Sequence, residues 1–170
     1  MSDREIIYNI ATEENTPSDI FFETFDINWY AADIEGLLVQ FSSMVSGFIP
    51  PEVRNRYSEV KVFNEHIIDL TDISDVEYYK AHFPDEFRSE KSKLRYLKGT
   101  AWFARKGLYS YLPKDYNRKG QNYKIICSPK KKLRLEQVPD HILNSSFIIK
   151  LNIKLSKLPK IIRPEDIITS

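Results

Sequence analysis

The period of the apolar positions changes repeatedly along the chain, and each change predicts an element. From Asp19 an apolar run (Ile20, Phe21, Phe22, Phe25) leads into Ile27-Asn28-Trp29-Tyr30-Ala31-Ala32. After Asp33-Ile34-Glu35-Gly36 comes a second run, Leu37-Leu38-Val39-Gln40-Phe41-Ser42. Two aromatic and β-branched runs around an acidic turn with a glycine predict a β-hairpin, with Gly36 in the positive-φ position such turns require. Ser46-Gly47-Phe48-Ile49-Pro50-Pro51 breaks the pattern, and Pro51 suits a first helical turn. Val53, Tyr57, Val60, Phe63, Ile67 and Leu70 then recur at steps of three and four, one face of a helix.

A second, short helix is predicted over 75–83, capped by Ser74, with Val76, Tyr79 and Phe83 inward and Pro84 ending it. The strongest helical pattern covers 89–106. Ser89 caps it, Leu94, Leu97, Ala101 and Ala104 form its stripe, and Arg105 and Lys106 complement the negative end of its dipole before Gly107. Residues 108–112 and 122–128 read as two antiparallel strands around a polar loop. A short helix is expected within 135–144, although Pro139 interrupts it. A long strand is expected over 146–156, and an extended tail over 158–170. Residues 1–18 are expected to be a polar, weakly ordered segment before one domain spanning 19–170. Strands and helices in separate runs predict an α+β domain with a largely antiparallel sheet and three to four helices.

Charge adds what hydropathy does not show. Residues 1–85 hold 17 acids and five bases, a net of −12; residues 86–170 hold 20 bases and seven acids, a net of +13, while the whole chain is +1. Such segregation steers charged partners. The 42% hydrophobic and 29% charged content is that of an ordinary globular protein, so wholesale disorder is not expected. Twenty-two aromatics exceed the needs of a core this size, which points some tyrosines to a recognition surface. The single Cys127 fits a reducing cytoplasm, no basic-then-apolar leader opens the chain, and no apolar stretch is long enough to span a membrane.

Chemical motifs are sparse. The histidines lack metal-ligand spacing, and five glycines form no phosphate cradle, so neither cofactor nor metal is expected. His66 with Asp69 at i, i+3 could form an oriented imidazole, and Cys127 a nucleophile; a helix-surface histidine and a core cysteine are the simpler readings. Asp26, Asp33 and Glu35 around the hairpin read as a solvated acidic turn. No catalytic residue is therefore assigned.

Two surfaces remain. Glu52, Glu59, Glu65 and Asp69 on the predicted 51–70 helix suit a basic protein partner. Lys130, Lys131, Lys132 and Arg134, with Tyr109, Tyr111, Tyr116 and Tyr123 interleaved nearby, give the alternative of single-stranded nucleic acid. Intramolecular cancellation of the two charge populations competes with both.

Trp29-Tyr30-Ala31-Ala32-Asp33, Gly36, Phe41-Ser42-Ser43 and Gly47-Phe48-Ile49-Pro50, with Ala104-Arg105-Lys106-Gly107-Leu108-Tyr109-Ser110-Tyr111, Tyr123, Pro129 and Val138-Pro139, resemble a set of small uncharacterised bacterial proteins. Met44-Val45-Ser46 departs from that pattern, which has a shorter, glycine-richer step. The resemblance implies, by analogy of class, an immunity-type or other partner-binding protein of the bacterial cytoplasm. The sequence thus predicts a protein-binding module that occludes its partner through a charged surface, with nucleic-acid binding as the alternative and no membrane association.

Overall fold

The hairpin forms where the two apolar runs place it. Strands β1 (Asn28–Ala32) and β2 (Leu38–Ser42) pair antiparallel, with Trp29 opposite Phe41 and Tyr30 opposite Gln40. Asp33 organises the turn. One carboxylate oxygen accepts from the Glu35 and Leu37 amides at 2.9 and 2.8 Å, the other accepts from the distant Leu155 amide at 2.7 Å, and Gly36 takes φ +77°. This computed structural model describes residues 17–79, 89–114 and 121–168. Expectations for 1–16, Phe83, Pro84 and Tyr116 lie outside the described residues.

Around the hairpin the sheet grows to eight strands among the described residues. The others are β3 (Val76–Tyr78), β4 (Tyr109–Pro113), β5 (Tyr123–Pro129), β6 (Ile149–Leu151), β7 (Ile161–Ile162) and β8 (Ile167–Ile168). The order is β3-β5-β4-β2-β1-β6-β8, with β7 also paired to β5. Strand β4 joins β2 and β6 joins β1 in parallel, and the remaining pairs are antiparallel. The architecture is α+β with a mostly antiparallel sheet, larger than the sequence suggests. The described residues hold five α-helices rather than three to four: α1 (Asp19–Thr24), α2 (Pro51–Asn55), α3 (Tyr57–Asp69), α4 (Glu90–Arg105) and α5 (Asp140–Ser145).

Local chemistry explains the elements that match. The single helix expected over 51–70 is broken at Arg56 (φ −119°, ψ 32°) into α2 and α3, which still bury Val53, Val60, Phe63 and Ile67 of the stripe read from their spacing. Ser89 accepts the Ser92 amide at 3.2 Å to cap α4, and Gly107 after its end has φ +95°.

Four expectations fail for tertiary reasons. The segment Asp19–Thr24 forms a helix, with Phe25 its extended C-cap, rather than a lead-in to the strand, because Phe21, Phe22 and Tyr57 gather their rings at 5.4–5.5 Å between centroids. Residues 76–78 are a strand, not a helix, because Glu77 and Tyr78 lie opposite Ser128 and Cys127 of β5. The strand expected over 146–156 shrinks to β6. Beyond it the Asn152 amide bonds Asp166 O and the Leu155 amide bonds Asp33, which turns the chain. In α4 only the C-terminal half covers the sheet, so Ala101 and Ala104 are buried while Leu94 is 62% exposed.

Register gives the sheet two unlike faces. Toward the outer side of the hairpin point Trp29, Phe41, Tyr111 and Tyr123, all at most 2% exposed. Trp29 stacks on Phe41 at 4.0 Å and 13°, and Tyr123 sets its edge to Phe41 at 5.0 Å. The Tyr111 and Tyr123 hydroxyls each donate at 2.5 Å, to Pro159 O and Phe48 O. Burial raises both phenol pKa values, and burial with Asp33 nearby pushes Tyr109 up to about 12. These tyrosines are core residues rather than a recognition surface. Toward α3 and α4 point Asn28, Tyr30, Gln40, Ser42 and Ser110. Tyr30 packs edge-on to Phe63 at 5.0 Å and donates to Asn64 Oδ1 at 2.5 Å.

Candidate functional site

The acids predicted to meet a partner divide between two environments. Arg56 closes a bidentate fork on Glu59, with both N–O distances 2.7 Å, and its guanidinium lies 4.1 Å from the centroid of the Phe147 ring. That hydrogen-bonded fork holds the Glu59 carboxyl below its usual range. Glu52 sits beside the pair at the rim of a groove against Phe147 and Ile149. Farther along α3, Glu65, Ile68 and Asp69 fall at i, i+3 and i+4 and therefore share one face. Ile68 is 51% exposed, and neither Glu65 nor Asp69 has an ion pair among the described residues.

Part of the charge asymmetry does cancel internally. Asp72 pairs with Arg105 at 3.2 Å and with Lys106 at 3.7 Å, and Glu35 pairs with Lys154 at 3.4 Å. Each joins an acid of the first half to a base of the second. Lys106 is buried; its ammonium also donates to Leu70 O and lies over the Trp102 ring.

The basic connector runs across one end of the sheet. Lys130 and Lys131 donate backbone amides to Asp75 O and Ser74 Oγ, and the side chains of Lys130, Lys131 and Lys132 are exposed. Arg134 donates to Glu35 O at 2.9 Å. The aromatic half of that patch does not assemble, since Tyr109, Tyr111 and Tyr123 are in the core.

Neither lone nucleophile candidate meets a reactive setting. Cys127 is fully buried, its thiol donates to Thr100 O at 3.5 Å, and burial pushes its pKa up to about 12. For His66, burial and then the neighbouring His141 lower the imidazole pKa, with Asp69 opposing through its charge. Among the described residues no cluster of three or more His, Cys, Asp or Glu side chains could hold a metal, and no helix is long and apolar enough to cross a membrane.

A feature the sequence reading missed lies on the polar face of the sheet. A cleft of about 430 Å³ opens between β1, β2 and α4. Its floor carries two hydrogen-bonded groups of side chains. Gln40 Nε2 donates to Asn28 Oδ1 at 2.7 Å, Ser110 Oγ donates to Gln40 Oε1 at 2.8 Å, and Ser42 Oγ donates to Asp26 Oδ1 at 2.6 Å. The Met44 amide also donates to Asp26 Oδ1, at 2.8 Å. Met44, which lines the cleft, and Val45 after it have φ +47° and +71°, strained values for side chains of this kind, at the very step that departs from the resembled pattern. The roof is α4, with Arg95, Tyr96, Gly99 and Phe103 facing the opening. The polar pair Gln40 and Ser42, two apart in β2 on a helix-covered face, together with a glycine inside a helix, are the signals by which sequence could have found it.

No family model, curated protein or solved structure matches the chain.

Proposed function

We propose that this chain is a protein-binding module whose acidic α3 ridge docks a basic protein partner and occludes it, in the manner of an immunity-type inhibitor. One observation carries the reading: Glu65 and Asp69 lie beside the exposed Ile68 on one side of α3 and have no ion pair among the described residues. Acids without an ion pair attract a basic surface at long range, and an exposed apolar residue beside them offers contact once water is expelled. Glu59, already satisfied by Arg56, contributes less to that attraction than the four acids taken alone suggest. A second reading, nucleic-acid binding through the three consecutive exposed lysines Lys130, Lys131 and Lys132, rests on charge alone.

The test is affinity capture from a bacterial lysate with and without nuclease, followed by association kinetics on the captured protein. The double reversal Glu65→Lys with Asp69→Lys should slow association by about tenfold or more and flatten its salt dependence. Unchanged kinetics would remove α3 from the interface. Capture that disappears with nuclease, and weakens when the three lysines are replaced by glutamine, would put the second reading first.

A further inference from the structure

We infer that two copies of this chain pair about a two-fold axis, the acidic ridge of α3 in each lying on a basic ridge of α4 in the other. The inference rests on the reading of α3 as a docking ridge and adds the surface that the ridge meets.

The two ridges carry one template in opposite sign. In α3 it is Glu65, Ile68 and Asp69; in α4 it is Lys91, Leu94 and Arg95, with Lys98 one turn farther along the same side. Positions i, i+3 and i+4 are neighbours on a helix surface, so each ridge sets one apolar side chain beside two like charges a turn apart. Ile68 is 51% exposed and Leu94 62%. Glu65, Asp69, Lys91, Arg95 and Lys98 are exposed as well, and none has an ion pair among the described residues. Charge of the wrong sign is sparse on both helices. Lys61, one turn before Glu65, lies 6.0 Å from the centroid of the Tyr57 ring, and Glu90 is the one acid of α4. Set face to face, the ridges bring Ile68 against Leu94 and give each acid a base.

A second copy answers both ridges, which a foreign partner of one sign does not. A basic protein would cover α3 and leave Lys91, Leu94, Arg95 and Lys98 bare; an anionic one would do the reverse. Tyr30 of β1 packs against Phe63 of α3 at 5.0 Å and Phe103 of α4 at 6.3 Å, so both helices cover the same face of the sheet. A two-fold axis over that face satisfies both ridges in one contact and closes the assembly at two copies. The net charge of +1 leaves little general repulsion between like molecules.

Sedimentation equilibrium of the full chain tests this. At about 0.1 mM protein the parent should be a dimer in about 50 mM salt and a monomer in about 1 M salt, where the Debye length is about 3 Å. Glu65→Lys with Asp69→Lys should weaken the dimer at least about a hundredfold, and so should Lys91→Glu with Arg95→Glu and Lys98→Glu, because each sets like charges together at both contacts. An equimolar mixture of the two variants should form a one-to-one dimer within about tenfold of the parent's affinity, since every contact again joins opposite charges. That rescue also shows that both variants fold. The inference is overturned by a parent that is monomeric in low salt or grows beyond two copies, by a dimer indifferent to the α4 reversal, or by a mixture that stays monomeric. None of these outcomes decides the α3 reading itself, which rests on the association kinetics of a captured basic protein with the α3 reversal alone.

Discussion

The two faces of one sheet solve opposite problems. On the outer face Trp29, Phe41, Tyr111 and Tyr123 exclude water almost completely; the two tyrosine hydroxyls donate to carbonyls of neighbouring loops, and the Trp29 indole N–H donates to the Tyr123 hydroxyl at 3.5 Å. On the face toward α4, in the central strands β1 and β2, Asn28, Gln40 and Ser42 keep polar side chains where apolar ones would bury more favourably. The outer face is built for stability. The inner one gives some of that up around a cleft, since a buried polar network contributes little net free energy beyond an apolar replacement of the same shape. That contrast teaches where to look for recognition in a chain with few chemical motifs.

Three measurements would break or sharpen the contrast. The largest effect concerns the boundary of the polar region. Cys127 pairs with Ser110 across β4 and β5 yet is sealed; at pH 8 a thiol held near pKa 12 reacts about a thousandfold more slowly than a free one. Native protein should therefore resist iodoacetamide, and unfolded protein should take up one label. Fast native labelling would mean the cleft extends to Cys127. Next, Trp29→Ala should cost about 3–5 kcal/mol in urea unfolding, while Gln40→Met combined with Ser110→Ala should change stability by less than about 1.5 kcal/mol. Similar costs for the two would erase the difference between the faces. Smallest, Gly99→Ala should raise stability by about 0.5–1 kcal/mol in the same assay, and a loss would show that the space above Gly99 is not open.

Much of the framework was legible because it is locally determined. Gly36 and the Asp33 turn mark the hairpin, period-three-and-four spacing marks α3, and Ser89 and Gly107 bracket α4. What escaped depends on distant partners. Val76 and Tyr79 sit three apart and mimic a helix, but pairing with β5 decides the segment in favour of strand. The apolar pattern over 146–156 matches a strand, yet only three residues find a neighbour in the sheet. The aromatic run near Phe22 carries strand propensity that packing against Tyr57 overrides. The acidic and basic surfaces were visible as composition; that Glu59 is neutralised and three tyrosines are buried was not. The cleft was least visible, because Asp26, Asn28, Gln40 and Arg95 meet only through strand register and the docking of α4.

The carboxylate of Asp33 also sets a schedule for synthesis. It waits for the Leu155 amide 122 positions later, and β1 beside it has one flank closed by β2 at once but the other only by β6. At about 5–20 residues per second the ribosome leaves that flank bare for roughly 6–24 s. Through that interval the nascent hairpin presents an unpaired central strand to every other chain in its surroundings, so its yield in a cell depends on how well that edge is shielded until the last third of the polypeptide emerges.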